Sequence, residues 1–303
     1  MVDFQPITTD KKQAYEACLQ TNPARGCEYS FANLFLWGRQ RMAFLHGNVT
    51  VFSQFDRKSV YLFPVGQGDL KKTLACMIHD AKVRDIPFRL TGLTEADCAL
   101  LQTLYPNQFR FHTDRNGFDY VYAIDDLADL AGRKFQKKRN HLNKFLQHHP
   151  YAVTEPITDS NTEEVAEMVE QWYELRLQED PTRDFHMERC AIHKALAHRQ
   201  VLEMEGLLLR VEGKVVAMTL GSLLSDTVFD VQFEKAFDRY DGAYAAINRA
   251  FARYLREHHP AITHLNREDD MGMEGLRKAK LSYQPAYLQE KYWACLLEDG
   301  YDY

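Results

Sequence analysis

The chain has 303 residues, 45% of them hydrophobic and 26% charged, with a formal net charge of −6. That length suits two cores of about 150 residues better than one, and the ordinary globular composition excludes a long disordered stretch. The acidic balance excludes a chain-wide attraction to nucleic acid, so an anionic partner has to meet a local basic patch.

The first half alternates strand and helix signals. Residues 13–19 read as a helix. Residues 42–63 alternate apolar and polar as two antiparallel strands joined at Asp56, Arg57 and Lys58. Asp69 is placed to cap a helix whose Leu74, Met77, Ile78 and Ala81 share one face. A strand is predicted at 87–90, then a helix capped by Thr94. Strands at 109–111 and 120–124 flank a turn at Arg115, Asn116 and Gly117.

The second half opens with a charged helix predicted over 126–149 and ended by Pro150. A strand at 151–155 precedes Ser160 and Glu163, which stand at capping-box spacing. The helix they open puts Val165, Met168, Val169, Trp172 and Leu175 on one face, and another is predicted over 187–199. Strands follow at 206–211 and 215–223, joined through Glu212, Gly213 and Lys214, and then at 227–234. Gly242 opens a helix striped by Tyr244, Ile247, Phe251, Tyr254, Leu255 and His258. Strands at 261–266 and 291–297 complete the order. Both halves read as α/β domains, mixed sheets flanked by helices, with residues 1–125 in the first and 126–303 in the second.

Candidate chemistry concentrates in the second domain. Residues 239–244, RYDGAY, link a strand to a helix. Unpaired amides at a helix N-terminus, with about half a positive charge from the dipole, suit a pyrophosphate. Arg239, Asp241, Gly242, Ala243 and Tyr244 are therefore candidate donor-binding residues. The segment approximates the donor pattern of GNAT-type acyltransferases (Arg or Gln, two residues, Gly, one residue, Gly or Ala) and departs from it at the bulky Tyr244. Without a ligand it is a plain strand-to-helix connection.

In the tail NREDDMGMEGLRKAKLSYQP, residues 266–285, Gly-Leu-Arg-x-x-Lys and the following Ser-Tyr-x-Pro resemble the closing motif of Fem-type peptidoglycan aminoacyltransferases. The resemblance implies that Lys280 lies beside the reacting carbonyl, where an ammonium steadies a developing oxyanion. As plain charges, Arg277, Lys278 and Lys280 would pair with Glu268, Asp269 and Asp270 on a solvated helix, at under ~1 kcal/mol each.

Together with AGRKFQKKRNHLNKF at 131–145 and the turn around Gly242, this tail resembles bacterial proteins related to the C-terminal catalytic domain of phosphatidylglycerol lysyltransferases, over essentially the whole chain. The resemblance implies two tandem GNAT-like domains and transfer of an aminoacyl group from aminoacyl-tRNA to an amine or hydroxyl acceptor. An acyl-CoA-dependent N-acetyltransferase and a non-catalytic binding module with the GNAT fold are the alternatives. Aminoacyl-tRNA or acyl-CoA enters as co-substrate, with no covalently bound cofactor; the acceptor is a small molecule or peptide.

Arg133, Lys137 and Lys144 share one side of the predicted charged helix. Lys138 falls within its apolar stripe of Leu127, Ala131, Phe135, Leu142 and Phe145, where an ammonium needs a partner or a polar cavity. With Arg277 these four are candidate phosphate or tRNA contacts; a solvated helix with Lys138 snorkelling to water is the bland alternative. Asp226, Asp230 and Glu234 mark one strand. Glu234, just before the donor turn, is the candidate base, and Asn266 joins it and Lys280 as the third catalytic candidate. His148-His149 and His258-His259 read as helix-end charges, and Asn33 and Trp37 as core or an acceptor pocket.

The six cysteines, Cys18, Cys27, Cys76, Cys98, Cys190 and Cys295, include no CxxC pair and no histidine at zinc-finger spacing. Free thiols in a reducing compartment are expected, with no metal site. No apolar run approaches the ~20 residues of a membrane span, and the N-terminus lacks an apolar signal core. A cytoplasmic protein is expected, with peripheral membrane contact left open.

Overall fold

The computed structural model describes residues 1–20, 25–55 and 58–297. The joint expected at Asp56 and Arg57 lies outside them. The chain forms two compact units, Asp119–Leu288 and, around it in sequence, Met1–Phe118 with the segment from Gln289 onward.

In the first unit the strands are β1 (Gln5–Pro6), β2 (Gln40–Leu45), β3 (Asn48–Phe55), β4 (Lys58–Leu62), β5 (Val65–Gly66), β6 (Arg89–Leu93) and β7 (Phe109–Thr113). Its helices are α1 (Lys12–Leu19), α2 (Phe31–Trp37), α3 (Leu70–Val83) and α4 (Glu95–Leu104). The 42–63 region makes three strands rather than two, because His46 and Gly47 turn left-handed between β2 and β3. Both expected caps form: Asp69 accepts from the Lys72 N–H, and Thr94 and Asp97 close a capping box. Leu74, Met77 and Ala81 of α3 pack with Phe52, Tyr61, Phe88 and Leu90. Asn33 is buried in α2 and donates to the Cys27 carbonyl, which is the core reading of that segment.

In the second unit the strands are β8 (Asp119–Ala123), β9 (Val153–Pro156), β10 (Glu205–Val211), β11 (Lys214–Ser225), β12 (Val228–Ala236), β13 (His264–Asn266) and β14 (Tyr287–Gln289). The helices are α5 (Ile124–Asp129), α6 (Gln136–His148), α7 (Thr162–Glu179), α8 (His186–Ala197), α9 (Ala243–His258) and α10 (Glu274–Leu281). The sheet order is β14-β8-β13-β12-β11-β10-β9. Strands β12 and β13 run parallel and pair Val228 with His264, Phe229 with Leu265 and Asp230 with Asn266. Beyond that last pair the chain stays with β8, through Arg267 N–H to Tyr120 O and Tyr120 N–H to Glu268 O. β12 runs on to Ala236 paired with β11 and no longer with β13, so the sheet splits at Asp230–Asn266.

Five expectations are corrected. The boundary placed at 125/126 lies at 118/119, because β8 pairs with β13. The last strand, β15 (Tyr292–Leu296), belongs to the first sheet, between β6 and β7. The helix expected over 126–149 is broken by left-handed Leu130 and by Gly132, whose carbonyls are both held by Arg139. Ser160 and Glu163 make no capping box; Asn161 stands at the cap, its side chain turned back to Thr158 N–H and Pro156 O. Asp226 lies in the exposed turn before β12 rather than in the strand. Among the described residues, no helix is long and apolar enough to cross a membrane.

Candidate functional site

Past the split, β12 carries Asp230, Gln232 and Glu234 on one face. The Glu234 carboxylate accepts from Arg267 Nη2 at 2.9 Å and from Asn248 Nδ2 of α9 at 3.2 Å. Its side chain is 9% exposed and that of Arg267 13%. The Arg267 guanidinium lies 4.9 Å from the Tyr283 ring centroid and 5.6 Å from that of Tyr122. Lys138 of α6 stands over the same Tyr283 ring at 3.8 Å. Three buried polar atoms around this carboxylate have no hydrogen-bond partner among the described residues: Arg267 Nη1, Asn248 Oδ1 and Thr219 Oγ1. Thr219 is the cross-strand partner of Glu234 on β11. Each such atom is destabilising by about 1–3 kcal/mol. Three on the residues that surround one anion mark a place where a polar ligand supplies the missing partners.

The electrostatics follow from burial. Burial, and then the neighbouring Arg267 charge, draw Lys138 down to about 8, with Glu234 opposing. Burial also acts against the Arg267 charge, but Glu234 and the surrounding tyrosines outweigh it and hold its pKa above the ordinary value. Burial keeps the Tyr122 and Tyr283 hydroxyls firmly protonated and pushes Tyr244 up to about 12.

The expected donor turn is filled by protein. Gly242 precedes α9 at φ 91°, and a Cβ built on it would stand 2.2 Å from the His141 carbonyl oxygen of α6. The glycine therefore admits a neighbouring helix rather than a phosphate. Asp241 pairs with Lys144 at 2.7 Å and His141 at 3.3 Å. Ala243 is buried with its N–H on Tyr240 O, Tyr244 is held at the backbone of Ala236, and Arg239 stacks on Phe237 and Tyr240. An acid already complements the dipole at this helix end.

Lys280 is buried, and its ammonium donates to the carbonyls of Arg267, Glu268 (3.1 Å) and Asp269 (2.5 Å). An ammonium has three donors, so this geometry engages all of them in clamping the segment bearing Arg267. Asn266 donates to Asp119 at 2.9 Å and accepts from the Glu268 N–H at 2.7 Å, so in this structure it fastens the loop after β13. Arg277 grips the buried Asp270 at 2.8 and 2.9 Å instead of meeting solvent phosphate. Lys144 is likewise engaged, while Arg133 and Lys137 are exposed. Of the sequence candidates, Glu234 and Lys138 meet at the split. Arg267, Asn248, Thr219 and Tyr283 complete the cluster and were missed; an arginine directly following the strand that parts from acidic β12 was the available signal.

The family model described as phosphatidylglycerol lysyltransferase, C-terminal, matches residues 20–295. The chain belongs to that family. A conserved protein from Bacteroides thetaiotaomicron VPI-5482 is 37% identical and superposes with a TM-score of 0.92, over 98% of this chain and 100% of that one. L-PGS from Bacillus licheniformis has the same fold at 15% identity and a TM-score of 0.71, over 98% and 94% of the two chains. An uncharacterized protein of Mycoplasmoides gallisepticum is 24% identical over 177 residues, 57% of this chain and 54% of that protein, so the chain spans about half the length of this curated relative. The chain shares with that family, and with L-PGS, a fold of two mixed α/β units.

Proposed function

We propose that this chain transfers an aminoacyl group from aminoacyl-tRNA to an amine or hydroxyl acceptor, with the aminoacyl end held beyond the Asp230–Asn266 split. The observation that carries this reading is the trio of unpartnered atoms around Glu234. An aminoacyl ester complements them. Its ammonium suits Asn248 Oδ1 and the Glu234 carboxylate, and its carbonyl oxygen suits Arg267 Nη1 and the Thr219 hydroxyl. A cationic donor on that oxygen counts most as negative charge develops there. The acceptor nitrogen or oxygen bonds to the carbonyl carbon and its proton passes to Glu234; the bond from that carbon to the tRNA 3′ oxygen breaks, and the leaving oxygen takes the proton from Glu234. The filled end of α9 favours tRNA over coenzyme A as the carrier.

The test is label transfer from a tRNA pool charged with radioactive amino acids, with labelled acetyl-CoA as the competing donor. Phosphatidylglycerol vesicles and glycylglycine serve as hydroxyl and amine acceptors. The expected result is discharge of the tRNA well above its spontaneous hydrolysis, with label in an acceptor and none moved from acetyl-CoA. Label moved from acetyl-CoA but not from tRNA overturns the reading.

A further inference from the structure

Among the described residues the Lys138 charge has no counter-ion of its own. Its ammonium rests on the Tyr283 ring, and no carboxylate or carbonyl among the described residues accepts from it. The Arg267 guanidinium faces the same ring, with Nη1 buried and lacking an acceptor. The groups around this pair are Glu234 from β12, Asn248 and Tyr244 from α9, Tyr122 from β8 and Tyr283 after α10. The tyrosines stay neutral, and Glu234 already answers Arg267 through Nη2. Two cations and one carboxylate leave one net positive charge, which is unfavourable in a half-buried place.

We propose that Lys138, backed by the positive charge of Arg267, forms a subsite for one phosphodiester group near the 3′ end of a single-stranded RNA, beside the aminoacyl chamber. A phosphodiester carries the single negative charge that the cluster lacks, and it offers acceptor oxygens to the Lys138 ammonium. RNA fits better than a lipid headgroup because exposed Lys137 and Arg133 continue the positive charge along the same segment, as a backbone with further phosphates requires. The choice of RNA rests on the aminoacyl-tRNA reading; the anion subsite stands without it.

The test is calorimetric binding of the dinucleotide CpA to the full chain, with glycerophosphoglycerol as the lipid-headgroup probe. CpA is expected to bind wild type. Lys138→Met is expected to weaken binding by about tenfold or more and to lower the salt slope by about one, whereas Lys138→Arg retains most of the affinity. Because only the ammonium attracts the anion, binding falls as pH rises through about 8. CpA affinity that is unchanged in Lys138→Met, or flat across that pH window, overturns the subsite. Glycerophosphoglycerol binding that depends on Lys138, without CpA binding, overturns the RNA assignment; binding of neither probe overturns both. Transfer assayed in parallel separates the two readings. A Lys138→Met protein with unchanged KM for charged tRNA removes this subsite and leaves the transferase, while Lys138-dependent CpA binding without any transfer does the reverse.

Discussion

Gly242 lies against the backbone of His141, so closely that a Cβ on the glycine would meet the His141 carbonyl oxygen at 2.2 Å. Backbone does not yield as a flexible side chain does, and φ 91° is itself strained for any residue with a Cβ. Gly242→Ala should therefore destabilise the second unit by at least ~2 kcal/mol, read as a lower urea midpoint. An alanine variant as stable as wild type would mean that the contact between α6 and the start of α9 is not what the glycine serves.

Lys280 gathers the carbonyls of Arg267, Glu268 and Asp269 on one ammonium. Lys280→Met removes three charge-assisted hydrogen bonds and leaves those carbonyls facing a thioether. A loss of about 2–4 kcal/mol in urea unfolding is expected, with a raised KM for the donor because Arg267 is no longer held. Full stability combined with a collapse of kcat alone would return Lys280 to the oxyanion role.

What the sequence made legible was local. Asp69 and Thr94 announce their helices because a cap needs only the next few residues, and Glu234 stands out as an acid ending an apolar strand. Lys138 was visible as a charge inside an apolar stripe. Pairings made over long separations were not legible: nothing near Tyr292 says that it will lie beside Leu93 and Thr113. The tail misled for a related reason. Lys280 and Arg277 look like solvated helix charges or catalytic ones, and only the folded chain shows three carbonyls bending around one of them and Asp270 buried beneath the other.

Asp270 carries a stability signal that depends on pH. It is fully buried and accepts from Arg277, from the Tyr120 hydroxyl at 2.5 Å and from the Gly272 N–H at 2.9 Å. The Arg277 hydrogen bonds, chiefly, hold its carboxyl well below the usual range. A carboxyl depressed in the folded state stabilises in full above its unfolded value of about 3.9, and that contribution fades as pH falls toward the folded value. Urea unfolding of wild type should weaken steadily from about pH 4 downward. Asp270→Asn should be about 2–3 kcal/mol less stable at pH 7, since one partner of a buried pair is removed, and should show a shallower decline in acid. Parallel acid slopes in the two proteins would take Asp270 out of this account.

Thr219 offers the cleanest separation of stability from function. Its hydroxyl is buried on β11 opposite Glu234 and has no hydrogen-bond partner. Thr219→Val swaps that hydroxyl for a methyl group in the same shape. If the hydroxyl is kept for a ligand, the unliganded variant should be as stable as wild type or up to ~1 kcal/mol more so, because an unsatisfied buried donor is gone. Transfer from charged tRNA should nevertheless fall, by about tenfold in kcat/KM, the worth of one hydrogen bond to the reacting group. Urea unfolding and initial rates on the same preparation decide it. A variant destabilised by about 1 kcal/mol or more would show that the hydroxyl has a standing partner in the resting protein, and that the space around Glu234 is not reserved for substrate.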